Sequence, residues 1–167
     1  MSVENGINWA TLVTADGVTV PTYGAYGGPH YTGGVIDPGT FVDVAPIDPL
    51  DSLFKAHDLA YFTIPSTDTE ALAISDLTLI KGIRSLPDSE MGGEAHLYAG
   101  GAELALLYNV VANYHEGDLL THRQEAAILA DAADNLRHGT INPENPAEQL
   151  GVLTVLSQSA AHDLHWI

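Results

Sequence analysis

The spacing of apolar and polar positions divides the chain into a short β-rich start and a helical remainder. Residues 7–22 (INWATLVTADGVTVPT) carry β-branched residues around Asp16-Gly17, a turn pair, and predict a hairpin rather than a helix. Residues 23–45 are dense in glycine and include Pro29 and Pro38, which predicts a long irregular loop between ordered elements. From about residue 48 onward, five helices are expected. The first opens at Asp48 as N-cap, with Pro49 in the first helical position where its missing N–H is harmless, and runs to about Phe62. The second opens with Thr67 and Glu70 at capping-box spacing and continues to about Leu86. A third, about 95–115, is apolar on most sides through Leu104, Leu106, Leu107, Val110 and Val111, which places it at the centre of the core. A fourth, about 121–138, lies between a Thr121/Gln124 capping box and Gly139, and a fifth runs from about 147 to 164 after the Asn-Pro pairs at 142–143 and 145–146.

Two polar residues interrupt the apolar stripes. In the first helix Leu50, Leu53, Phe54, His57, Ala60 and Tyr61 form one face, with the imidazole on the apolar side. In the second, Leu72, Ala73, Asp76, Leu79, Ile80 and Ile83 form another, with a carboxylate in its middle. An isolated buried charge is very costly, so Asp76 needs a partner. If the two stripes face each other, His57 and Asp76 satisfy one another, giving the oriented imidazole that general-base catalysis uses. A histidine on an apolar stripe is also commonly a satisfied core residue, and Asp76 could equally accept from backbone or water. Asp58 follows His57 directly, beside a loop, Tyr23-Gly24-Ala25-Tyr26-Gly27-Gly28-Pro29, whose glycines let carbonyl oxygens turn inward. Carbonyls plus one carboxylate are hard oxygen ligands suited to Ca2+.

Composition narrows the range of partners. The 167 residues are 46% hydrophobic and 16% charged, enough for a single domain (1–167) with a real core and unlike a disordered acidic tail. With 22 acidic residues against 5 basic ones the formal charge is −17, which repels nucleic acid and anionic lipid. The absence of cysteine rules out disulfides, zinc-thiolate sites and a cysteine nucleophile. Residues 1–6 show no basic and apolar leader, and no stretch is long enough to span a bilayer. Among the other histidines, His115, His122, His162 and His165 lack the spacing of a strong zinc site and are expected at solvated helix ends.

The segments Tyr23-Gly24-Ala25-Tyr26-Gly27-Gly28, Pro46-Ile47-Asp48-Pro49-Leu50-Asp51 and His57-Asp58-Leu59-Ala60-Tyr61 together resemble the calcium loop (YGxYCG) and active-site helix (PxDxLDxCCxxHDxCY) of the secreted phospholipase A2 superfamily. The match from Pro46 through Tyr61 has no gap, and the resemblance covers about residues 23–85. The family's half-cystines fall here on non-cysteine residues such as Gly27 and Ala60, as in a disulfide-free microbial branch. The resemblance implies a mainly α fold, with two antiparallel helices carrying a His-Asp site, a hairpin and calcium loop before them and about three helices after. It implies His57 as general base, Tyr61 as its supporting tyrosine, and an orienting aspartate on the following helix. Asp76 is the candidate for that aspartate and Asp68 the competitor, although Asp68's place in its helix's first turn is simply explained by the helix dipole. It also implies a Ca2+ site of Asp58 with the carbonyls of Tyr26 and Gly28. The third carbonyl is His30 by direct counting, or a residue near Gly33 if there is an insertion.

The implied activity is Ca2+-dependent hydrolysis of the sn-2 acyl ester of glycerophospholipids; the alternative is a non-catalytic, calcium-gated lipid-binding or toxin-associated module. One carboxylate and several carbonyls make a weak site, about 0.1–1 mM, which points to action outside the producing cell by a route without an N-terminal signal, with a cytoplasmic role as the alternative. Neutral or zwitterionic lipid is the expected surface. Val35, Ile36, Phe41 and Val42 would either dock on it or pack beneath their own loop.

Overall fold

The computed structural model describes residues 6–163, with side-chain environments as far as residue 158. The protein is mainly helical. The expected hairpin is present: β1 (Ile7–Ala15) and β2 (Val18–Tyr23) pair antiparallel about Asp16-Gly17, whose φ of 51° and 79° are what a two-residue hairpin turn requires. Its register shifts between Asn8 and Leu12, opposite Pro21, which has no N–H to offer a ladder. There the Asn8 side-chain carbonyl accepts from the N–H groups of Ala10 and Thr11.

The glycine-dense segment is less irregular than predicted. β3 (Tyr31–Thr32) and β4 (Val35–Ile36) form a miniature hairpin about Gly33-Gly34, with φ of 59° and 82°. The same glycines that argued against regular structure supply its turn.

Five helices follow: α1 (Pro49–Thr63), α2 (Thr69–Ile83), α3 (Gly93–Tyr108), α4 (His122–His138) and α5 (Pro146–Asp163). Asp48 caps α1 by accepting from the Asp51 N–H, and the Thr121/Gln124 capping box opens α4. The box expected at Thr67 and Glu70 does not form. Asp68 is the N-cap of α2, its carboxylate accepting from the Ala71 N–H at 3.0 Å, and α2 stops at Ile83 rather than Leu86. α3 is also shorter than expected: it ends at Tyr108 and gives way to a single π-helical turn, Asn109–Asn113. Nor is it apolar on most sides, since Leu104 and Val111 are exposed while Glu94, His96 and Glu103 are buried.

The core gathers Ile7 and Trp9 of β1, Tyr23 and Tyr26, Leu50 and Phe54 of α1, Leu79, Ile80 and Ile83 of α2, and Leu106 and Leu107 of α3. Close backbone approaches fix its layers. At Gly100 a Cβ would meet the Ala132 carbonyl of α4 at 2.8 Å, and at Gly151 of α5 a Cβ would run into the Trp9 carbonyl. Among the described residues no helix is long and apolar enough to cross a membrane.

A buried polar chain joins α3 to α4. His96 Nδ1 meets the Asn135 side-chain oxygen at 2.9 Å, and Asn135 Nδ2 donates to Glu103 at 2.9 Å. Burial raises the Glu103 carboxyl well above its ordinary 4.5, the Asn135 hydrogen bond opposes the rise, and Asp131 adds to it.

Two outcomes follow from this packing. Gly→Ala inside a helix ordinarily stabilises by up to about 1 kcal/mol. Gly151→Ala should instead destabilise by about 1–3 kcal/mol in urea unfolding, because the Trp9 backbone has no room to yield. For Glu103, native protein holds a proton that unfolded chain releases, so this group's contribution to stability falls as pH rises above its ordinary value. Glu103→Gln should therefore raise Tm at about pH 8.5 and leave it nearly unchanged at about pH 5.

Candidate active site

α1 and α2 run antiparallel: His57 meets Asp76, while Leu53, a turn earlier on α1, packs against Gly82, further along α2. The α2 stripe expected from spacing is buried at all six positions, Leu72, Ala73, Asp76, Leu79, Ile80 and Ile83. On α1 the stripe is buried at Leu50 and Phe54, while His57 and Tyr61 lie toward its edge.

Asp76 has no exposed surface, and its Oδ1 is the point on which the site converges. His57 Nε2 lies 2.7 Å from it and the Tyr61 hydroxyl donates to it at 2.6 Å. The His57 side chain keeps 14% of its surface in solvent, and its ring centre lies 4.4 Å from that of Tyr61. With Asp76 ionised, the ring nitrogen facing it is the donor, which leaves Nδ1 with the lone pair. Tyr61 also shares a hydrogen bond with the Tyr114 hydroxyl at 2.7 Å. Burial and the adjoining Asp76 hold the Tyr61 hydroxyl well above the usual phenol range, so it stays a donor. Tyr114 follows the π-helical turn after α3, and no spacing in the sequence signals that turn. Asp68, the competitor for the orienting role, is spent on capping α2.

The loop before α1 is held by a second buried carboxylate, which sequence spacing did not single out. Asp51 has no exposed surface and accepts from the N–H groups of Ala25 at 3.1 Å, Tyr26 at 2.9 Å and Ile47 at 3.0 Å. At Gly24, with φ of 52°, a Cβ would strike the Asp51 carboxylate, so only glycine fits. The Tyr23 hydroxyl donates to Asp48, and the Tyr26 hydroxyl exchanges hydrogen bonds with the Val44 backbone. The loop is thus strapped by hydrogen bonds to the N-terminus of α1.

A cleft of about 350 Å3 opens beside this strap, lined by Gly28, His30, Thr32, Asp58, Tyr61 and Phe62 among others. Burial pushes the Asp58 carboxyl up to about 7; the nearby Thr32 hydroxyl opposes the rise and Asp51 adds to it. Asp58 Oδ2 and the Thr32 hydroxyl are each buried without a hydrogen-bond partner, although the Thr32 hydroxyl is near enough to lower the Asp58 pKa. The carbonyls of Ala25, Gly27 and His30 already accept N–H groups from Gly34, Tyr23 and Asp37, whereas among the described residues no donor meets those of Tyr26 and Gly28. A carboxylate oxygen and two carbonyls without a hydrogen-bond donor among the described residues are the kind of oxygens a hard cation takes. The described residues contain no group of three or more His, Asp or Glu placed to hold a metal, so a cation here would depend on backbone oxygens.

His57 does not line the Asp58 cleft. It lines a neighbouring apolar groove of about 310 Å3 between α1 and α2, with Leu53, Ala56, Ala60, Ile74 and Leu79. Tyr61 bridges the two recesses, lining the cleft while sharing Asp76 with His57. Of the loop's apolar residues, Val35 and Ile36 are 45% and 46% exposed, while Phe41 and Val42 are half-buried, with Phe41 stacked on Tyr26. His122 is solvated beside Glu125, and His115 lies in the turn after the π-helical segment. His165 and the side chain of His162 lie outside the described residues. No protein family, curated protein or solved structure matches the chain.

Removing the loop's anchor should be costly. Asp51→Ala strands three buried N–H groups and should lower unfolding free energy by at least about 3 kcal/mol in urea titration, with Asp51→Asn losing less because one acceptor oxygen remains.

Proposed function

We propose that the chain is a Ca2+-dependent phospholipase A2-like esterase that cleaves the sn-2 acyl ester of glycerophospholipids. The observation that carries this reading is the convergence of His57 and Tyr61 on one oxygen of buried Asp76, on the residue pattern that resembles the phospholipase A2 site. Asp76 fixes the His57 tautomer, so Nδ1 is free to take a proton from the water that attacks the ester carbonyl. Tyr61 and Tyr114 keep the Asp76 charge stabilised while the imidazolium exists. Asp58 with the Tyr26 and Gly28 carbonyls would hold Ca2+, which supplies Lewis-acid polarisation of the ester and a counter-charge for the lipid phosphate. The Gly28 N–H would add an oxyanion donor. Exposed Val35 and Ile36 suit docking on neutral or zwitterionic lipid, and a site this poor in carboxylates suits the calcium levels found outside the producing cell.

A second reading has its own support. His57 and Asp58 line separate recesses, and a scaffold whose base and cation site do not share a chamber would serve as a calcium-gated lipid-binding module without turnover. Fatty-acid release from sn-2-labelled phosphatidylcholine micelles separates the two. The esterase should release label only with Ca2+, lose release in chelator, and slow by about 100-fold or more in His57→Ala. Calcium-dependent liposome binding with no release above the His57→Ala background would instead establish the binding module.

A further inference from the structure

The cleft beside Asp58 contains one oxygen to which neither the motif spacing nor the loop glycines point. Thr32 ends β3, pairs with Val35 across the Gly33-Gly34 turn, and lines the same cleft as Gly28, His30 and Asp58. It is 2% exposed, and its hydroxyl is buried without a hydrogen-bond partner. It lies near the Asp58 carboxyl without meeting it at hydrogen-bonding geometry, and a buried hydroxyl left so is unfavourable on its own account. Asp58 Oδ2 is unpaired in the same way. Two unsatisfied oxygens in one cleft, one of them a carboxylate, match a ligand that takes lone pairs and repel an anion.

The geometry at position 30 strengthens the case. The His30 carbonyl already accepts the Asp37 N–H at 2.7 Å, and the His30 imidazole is exposed, with Nδ1 3.6 Å from Asp37. The left-handed φ of 56° at His30 and the β3–β4 pairing lock that arrangement. One lone pair of the oxygen expected as the third loop ligand is therefore spent on building the small hairpin. That hairpin sets Thr32, two positions on, into the cleft.

We propose that the Thr32 hydroxyl is a direct cation ligand, completing with Asp58 and the Tyr26 and Gly28 carbonyls the oxygen set for a hard divalent cation. The inference rests on the calcium reading of this cleft and replaces an expected backbone ligand by a side chain. A neutral hydroxyl adds coordination without adding charge, in keeping with a weak site. Because Thr32 pairs with Val35, a cation held by its hydroxyl also anchors the hairpin that carries the exposed Val35 and Ile36.

Calcium titration of the full chain by calorimetry, together with melting curves in chelator and in millimolar Ca2+, tests this on Thr32→Val, Thr32→Ser and Asp58→Asn. Thr32→Val keeps the side-chain shape and removes only the hydroxyl. It should melt in chelator at the same temperature as the parent protein or higher, bind Ca2+ roughly tenfold or more weakly, and lose most of the Ca2+-induced rise in Tm. Thr32→Ser should restore binding, and Asp58→Asn should abolish it. Unchanged affinity in Thr32→Val, with binding lost in Asp58→Asn, would overturn the role of Thr32 and leave the Asp58 site standing. Failure of the parent protein to bind millimolar Ca2+, or full binding by Asp58→Asn, would overturn the calcium reading and this ligand with it.

Discussion

The Asp76 carboxylate is the constraint around which the site is arranged. It sits in the middle of an otherwise apolar stripe, without exposed surface, in a chain with 5 basic residues, and no lysine or arginine reaches it. Burying an ion unaided costs several kcal/mol, as much as two or three of the neighbouring aliphatic side chains gain by leaving water. The α1–α2 interface can close only if that charge is hydrogen-bonded. Oδ1 takes both available donors, His57 and Tyr61, and these lie four residues apart on one face of α1. The same requirement, with Asp76 ionised, sets the tautomer of the imidazole.

A second buried carboxylate does for the loop what Asp76 does for the helices. Asp51 carries no catalytic signature, yet its oxygens collect three backbone N–H groups from both sides of α1's entry and hold the loop against the helix. Burial raises its pKa even against those three donors. Between the two anchors in sequence lies Asp58, whose buried Oδ2, like that of Asp76, meets no hydrogen-bond donor. A folded protein keeps such an oxygen only at a cost in stability, and the cost is accounted for if the oxygen faces a ligand.

Much of this was legible in residue spacing because helical periodicity and capping are local. The α2 stripe and the Asp48 and Thr121 caps follow from positions three or four apart, the Asp16-Gly17 turn from an adjacent pair, and the pairing of His57 with Asp76 from stripes on two consecutive helices. What was not legible depends on distant or non-standard geometry. Tyr114 reaches Tyr61 only through a π-helical turn, and Thr32 reaches the cleft only because Gly33-Gly34 make a hairpin where glycine density suggested none. Thr67 lost the α2 cap to Asp68, whose carboxylate is the stronger acceptor for a helix's free N–H groups. The Glu103–Asn135–His96 chain was hidden because α3 reads as apolar by composition. Its buried polar groups are revealed only by the close approach of α4 at Gly100.

The most direct test of the central interaction is the 15N and 1H spectrum of the His57 ring in uniformly labelled protein near neutral pH, with Asp76→Asn alongside. A ring protonated at Nε2 and bare at Nδ1, with an Nε2–H signal protected from solvent exchange in the parent protein and lost or shifted in the variant, is the result the geometry requires. An Nδ1–H tautomer, or an Nε2–H that exchanges freely in both proteins, would contradict it. His57 would then be a partly buried histidine with no orienting carboxylate.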